Sequence, residues 1–379
     1  MGSWRRVAFA LILVLCFSSK SLLSMAAIKA AYWPSSTDSY QPPLSIDTTY
    51  FTHLYYAFIE MDPLTFKLRV SPNESVLLSE FTAAIKLRDP RVKTLVSIGG
   101  GGSNSTAFAL MASSKPSRQI FIESTIEVAR TFGFHGLDLD WEFPANPDEM
   151  ASLAKLFIEW RGAIETEAYS SRRPRLLLTA AVYFSPHFFL SDTPRSYPSK
   201  AIKYHLDWVN AMCFDYRGAW DTSETGAHAA LYDPKSNVST SYGIDAWLGS
   251  GLPQSMLVMG LPLYGHTWKL KDPNVHGIGA PAVGVGPGGD TGVLTYTQVV
   301  QFSCTNNATV VYDRTTVSTY LYAGHSWVGY DDARSTIGKI RFAITRHIGG
   351  YFFWAVSYDQ DWDISRQAVH LHHLHGKGP

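Results

Sequence analysis

The sequence predicts an α/β protein: a (β/α)8, or TIM, barrel with a small α+β insertion between its seventh and eighth strands. Three observations lead there. Eight short runs of apolar, β-branched or aromatic residues recur along the chain, most of them separated by helix-like stretches. The gap between the last two runs is too long for a single crossover. One run carries three acids at alternate positions, as a strand buried on both faces of a closed barrel could.

The strand-like runs are Ile28–Trp33, His53–Glu60, Lys93–Gly99, Gly136–Phe143, Leu176–Phe184, Trp208–Asp215, Met256–Tyr264 and Gly350–Val356. Arg118–Phe132 shows helical spacing at Ile120, Phe121, Ile126, Val128 and Ala129, and Met150–Glu165 reads as another helix. Between the seventh and eighth runs, "GVLTYTQVVQF", "VVYD" and "SWVGYDDARSTIGKI" mark the insertion. The expected division is a signal peptide at 1–25, the barrel at 26–268 and 340–370, the insertion at 269–339, and a flexible tail at 371–379.

The N-terminus has the order of a secretory signal: Arg5 and Arg6, then an apolar run from Val7 to Phe17, then small residues. No segment supplies the ~20 uninterrupted apolar residues of a membrane span. Secretion to the extracellular space, the cell wall or the vacuole is therefore expected. Asn73, Asn104, Asn237 and Asn307 each begin an Asn-X-Ser/Thr sequon and are candidate glycosylation sites. Cys16 falls in the signal, leaving Cys213 and Cys304; Cys213 lies in an apolar run and reads as a buried free thiol. Lys+Arg and Asp+Glu balance at 32 each, so no basic surplus points to nucleic acid or an anionic membrane. The tail "HLHHLHGKGP" is His-rich, but no Cys or acid completes a metal set, and it reads as a fraying helix end.

The central stretch is "FHGLDLDWEFP", residues 134–144. Side chains on a strand alternate faces. Asp138, Asp140 and Glu142 then share one face, and Leu137, Leu139 and Trp141 the other. With the apolar set against the helices, the acids face the barrel interior, and Glu142 is uppermost at the C-terminal mouth where barrel sites lie. Three carboxylates within about 13 Å, at a rise of ~3.3 Å per residue, cannot all ionise cheaply in a sheltered site, so at least one pKa rises. That arrangement can hold a proton near neutral pH for general acid catalysis. A metal is disfavoured because no neighbouring ligand completes a set.

"GLDLDWEFP" resembles the signature strand of glycoside hydrolase family 18, in particular plant class V chitinases and their lectin-like relatives. The resemblance runs through essentially the whole mature chain. "VKTLVSIGGGGSNS" is similar to the family's third-strand motif, "VNAMCFDYRGAW" to its sixth, "GGYFFWAV" to its eighth, and "SWVGYDD" to part of the insertion. It implies retaining, substrate-assisted hydrolysis of β-1,4-linked N-acetylglucosamine oligomers, whether chitin fragments or related lipo-chitooligosaccharides; the family departs from the two-carboxylate scheme of most glycosidases. Glu142 matches the acid that protonates the glycosidic oxygen and later serves as base for water. Asp140 matches the residue that orients the acetamido group, and Asp138 the inner carboxylate sharing its proton. Trp354 matches the tryptophan under the reacting sugar. Tyr32 and Phe58 line the same pocket, and Met212 and Asp215 match residues around the acetamido group. Tyr264, Trp220 and Trp268 extend the cleft. The implied partners are N-acetylglucosamine oligosaccharides or chitin, with no metal or other cofactor.

Two departures bear on activity. His135 stands where many members have Asp, and could hydrogen-bond Asp138. Phe214 replaces the Tyr of the Met-X-Tyr-Asp motif of active chitinases and removes a hydroxyl that bonds the acetamido carbonyl. Such a bond is worth about 1.5–3 kcal/mol, so its loss slows the reaction roughly ten- to a hundredfold. Phe143 also replaces a common Tyr. The enzyme reading leads, and a chitinase-related lectin with a preserved cleft is its alternative. A structural or inhibitor role is opposed by the acid row, because unused buried carboxylates cost stability.

Overall fold

The computed structural model describes residues 27–375; the expected signal at 1–25 lies outside them. Eight parallel strands close into a barrel: β1 (Ile28–Pro34), β2 (His53–Ile59), β3 (Lys93–Gly99), β4 (Gly136–Asp140), β5 (Leu177–Tyr183), β8 (Trp208–Met212), β9 (Leu257–Pro262) and β16 (Gly350–Trp354). Each falls within or nearly on an expected run. A short hairpin, β6 (His187–Phe188) with β7 (Arg195–Ser196), decorates the loop after β5.

The period-2 pattern places the core. Leu137, Leu139 and Trp141 join the large apolar layer between strands and helices. The opposite faces fill the lumen with Tyr32, Tyr55, Leu95, Trp208, Val258 and Phe352. Tyr32 stacks on Tyr55 at 4.3 Å between ring centroids, and Trp208 donates its indole N–H to the Tyr55 hydroxyl at 3.0 Å. The lumen is a packed core rather than a pore.

Helices cover the outside, and polar caps set their starts. Ser71, Asn104, Ser114 and Asn146 accept from backbone N–H groups at the heads of Pro72–Arg88, Ser105–Ser113, Lys115–Thr131 and Pro147–Ser171. The last two match the two helices expected from the sequence, the first ending at Thr131 with Phe132 as its C-cap. Thr295 and Gln298 form a full capping box on Tyr296–Thr305.

The structure revises four boundaries. The fourth strand stops at Asp140, where pairing with Gly99 ends, so Glu142 sits on the loop just past it. The seventh run divides. β9 stays in the barrel, while β10 (Tyr264–Leu270) turns away to pair antiparallel with β15 (Ser326–Tyr330), β11 (Ala282–Val285) and β12 (Val293–Thr295). The insertion's sheet, completed by β13 (Thr309–Asp313) and β14 (Ser318–Ala323), therefore begins ahead of Lys269. At its other end the expected 339/340 boundary falls inside one continuous helix, Ala333–Thr345. The final helix, Asp363–His375, runs past the expected start of the tail.

Asn73, Asn104, Asn237 and Asn307 are all exposed. Cys213 is a buried free thiol, pushed up to about 12 by burial, and Cys304 is free and exposed. No helix among the described residues is long and apolar enough to cross a membrane.

Candidate active site

A cleft of about 340 Å³ opens at the C-terminal ends of the barrel strands, within the size range of small-molecule sites. Asp140 and Glu142 line it, as do Tyr32, Phe58, Met212, Phe214, Asp215 and Trp354. Asp138 lies beneath, fully buried. It accepts hydrogen bonds from Thr179 Oγ1 at 2.6 Å, Ser97 Oγ at 2.7 Å and the Tyr32 hydroxyl at 2.9 Å. These donors come from β5, β3 and β1, so the acid faces the lumen. Asn210 Nδ2 in turn donates to the Tyr32 hydroxyl at 2.8 Å and fixes its orientation.

Electrostatics differ down the row. Burial raises Asp138, opposed by its three hydroxyl donors. Burial raises Asp140 much further, helped by the charges of Glu142 and Asp138. One of its oxygens, Oδ1, is buried and has no hydrogen-bond partner among the described residues. Glu142 is raised to about 7, first by burial and then by the charge of Asp215. The row thus carries protonated carboxyl at the mouth near neutral pH, over an inner acid saturated with donors.

The glycines after β3 make room for this. Gly99 and Gly100 adopt φ of +116° and +90°, and Gly100 N–H donates to the Asp140 carbonyl at 2.8 Å. A Cβ on Gly99 would lie 2.0 Å from that carbonyl oxygen, and one on Gly100 would enter the Phe58 ring. Gly101 and Gly102 then border the cleft beside Glu142.

Aromatic walls complete the opening. Trp354 stacks on Phe58 with centroids 5.4 Å apart and planes 21° off parallel. The peptide bonds Ala57–Phe58, Glu142–Phe143 and Trp354–Ala355 at this rim are cis. Phe214 meets Phe352 and Tyr264 edge to face. It fits because Gly260 leaves space; a Cβ there would lie 2.7 Å from its ring.

Some expected residues stand elsewhere. Tyr264 is set behind the wall and donates its hydroxyl to Asp215 Oδ1 at 2.6 Å. Trp268 is fully buried in the insertion's own core, edge-on to Trp327, with its N–H on the Asp221 carbonyl, so it cannot extend the cleft. Its strand has left the barrel, and it faces the insertion. Trp220 is 64% exposed beside His266. His135 turns Nδ1 to the Thr94 backbone N–H at 3.1 Å, and Asp138 takes its donors from elsewhere.

Sequence reasoning missed His228 and His266. His266 Nε2 lies 2.8 Å from Asp215 Oδ1, and His228 Nδ1 lies 3.7 Å from the same oxygen. Burial alone would raise Asp215, but these two histidines hold it well below the usual carboxylate range. Gly101, Gly102, Ala181 and Phe352 also line the cleft unannounced, although the Gly-rich run after β3 was a signal that could have flagged the first two.

Residues 29–359 match the family model of glycosyl hydrolases family 18. Class V chitinase CHIT5 of Lotus japonicus is 52% identical over 347 residues, covering 91% of this chain and 86% of that protein. A mutant class V chitinase of Nicotiana tobaccum, solved in complex with NAG4, has a TM-score of 0.87 at 42% identity, covering 91% of this chain and 98% of its own. The chitinase-like agglutinin RobpsCRA of Robinia pseudoacacia has a TM-score of 0.83 at 39% identity, covering 91% and 99%. The match spans both the barrel and the insertion, so this chain belongs to glycosyl hydrolases family 18.

Proposed function

We propose that the protein is a secreted chitinase that hydrolyses β-1,4-linked N-acetylglucosamine oligomers by substrate-assisted, retaining catalysis. The observation that carries this reading is Glu142 at the cleft wall, raised to about 7, directly above a buried Asp140 with an unpartnered oxygen. A carboxyl that keeps its proton near neutral pH can deliver it to a glycosidic oxygen. The substrate's own acetamido carbonyl then attacks the anomeric carbon as the glycosidic C–O bond breaks, and the protonated oxygen leaves as the hydroxyl of the departing sugar. Asp140 offers its orphaned oxygen to the acetamido N–H, and the developing positive charge is held close to the carboxylates. Glu142, now ionised, draws a proton from a water that attacks the anomeric carbon; the bond from that carbon to the acetamido oxygen breaks, and Glu142 returns to its starting state. Trp354 and Phe58 present an apolar surface for a sugar ring. Likeness to class V chitinases, one of them solved with NAG4, supports the substrate class.

The test is turnover of N-acetylglucosamine oligomers. Glu142→Gln keeps the shape and removes the acid, and should abolish release. Equal release from both proteins would refute the assignment.

One observation favours a second reading. Phe214 brings an apolar ring to the cleft where a hydroxyl would hold the acetamido carbonyl, and a chitinase-like agglutinin shares the fold. A lectin would bind glycans and release no product. A glycan-binding screen run beside the hydrolysis assay separates the two.

A further inference from the structure

We propose that Asp215, His228 and His266 form a binding site for a borderline divalent cation of the zinc class, on the side wall of the cleft. Their ligand atoms all lie within 4.8 Å of one another. Around a tetrahedral zinc, nitrogen and oxygen ligands at about 2.0–2.2 Å stand roughly 3.3–3.6 Å apart. The observed 2.8 Å and 3.7 Å from Asp215 Oδ1 to the two imidazoles bracket that spacing. Small side-chain shifts would open the set to admit an ion.

The orientation of His228 is the second and independent observation. The ring is 1% exposed. Its Nε2–H is committed to the Tyr264 carbonyl at 3.1 Å, which leaves Nδ1 facing the Asp215 carboxylate. That nitrogen has no hydrogen-bond partner within 3.5 Å. At 3.7 Å the nitrogen and the carboxylate oxygen stand too far apart for a direct hydrogen bond, and a cation between them would satisfy both. A histidine whose far nitrogen donates to a backbone carbonyl is also the usual support of a metal-ligating imidazole, since that bond fixes tautomer and ring plane.

Access is present. Asp215 is 46% exposed and lines the cleft, so an ion can enter from solvent and keep a coordination position open to it. His266 is buried beneath the edge of the exposed Trp220. Two imidazoles and one carboxylate suit zinc, copper or nickel rather than calcium or magnesium. The ion would compete with whatever occupies the cleft, because Asp215 lines it.

The experiment is titration of the full chain with Co2+, followed by visible absorption, and with Zn2+ by calorimetry. One equivalent of Co2+ with intense, tetrahedral-type d–d bands is expected. His228→Gln and His266→Gln should each weaken binding about tenfold or more, the scale of damage to a metal site's supports. If either buried variant fails to fold, Asp215→Asn makes the same test from the exposed position. Replacing His372, His373 and His375 with Ala should leave the affinity unchanged. Absence of saturable binding, or an affinity that follows the tail histidines instead, would overturn the proposal. Because the readout is metal binding, failure here leaves the hydrolase reading intact, and loss of hydrolysis says nothing about this site.

Discussion

Glu142 ionises near 4.5 in an unfolded chain and near 7 in the folded one. Folding therefore carries a cost that is absent below about pH 4.5 and complete above about pH 7, so stability is lost as pH rises through that window. Glu142→Gln removes the group that bears it. The variant should be more stable than the parent at pH 8, by about 3 kcal/mol at 1.36 kcal/mol per unit, with no difference at pH 4. Equal melting at both values would show that the carboxyl is not raised. In the hydrolysis assay the same group sets the alkaline side. kcat/KM should fall as pH rises through about 7. Phe214→Tyr restores the missing hydroxyl and should raise kcat by about tenfold or more; an unchanged rate would place the defect elsewhere. The acid row was legible because alternation on a strand is local. The histidines around Asp215 were not, since they come from a loop and from β10, and nothing in the residues beside them announces a shared carboxylate.

At the scale of elements, the turn leaving β3 shows how backbone freedom shapes the site. Gly100→Ala would place a Cβ in the Phe58 ring on a backbone with φ of +90°. A strained non-glycine residue costs of order 1–3 kcal/mol, and displacing Phe58 also disturbs its stack with Trp354. Denaturant unfolding should show a loss of about 2 kcal/mol or more, and a variant as stable as the parent would contradict the clash. The division of the seventh run into β9 and β10 is the counterpart in sequence reading. Residues 256–264 are apolar throughout, so periodicity alone gives no sign of where the chain leaves one sheet for another. Pro262 and Leu263 mark the break only once β10 is seen to pair with β15.

For the whole molecule, a buried ion pair lies where insertion and barrel meet. Lys339, on the helix Ala333–Thr345, donates to the carboxylate of Asp331 just past β15 and to the carbonyl of Ala229 in the loop after β8. Both charged side chains are almost wholly buried. Burial lowers the Lys339 pKa, and Asp331 works against that shift. Lys339→Met leaves a buried carboxylate unpaired and should cost about 3–5 kcal/mol. Combining it with Asp331→Leu should return much of that stability, because two apolar groups leave no charge stranded. Additive losses in the double variant would show that the pair acts through something other than its charges.

The sequence by itself determined the barrel, the inward acid row and its uppermost member, because strand alternation and element order are properties of neighbouring residues. Only the tertiary structure decided which distant side chains meet. It took Trp268 into the insertion, set Tyr264 behind Asp215, and brought His228 and His266 to the same carboxylate. Those meetings follow from barrel closure and from the path of β10, whose partners lie tens of residues away and leave no local pattern to read.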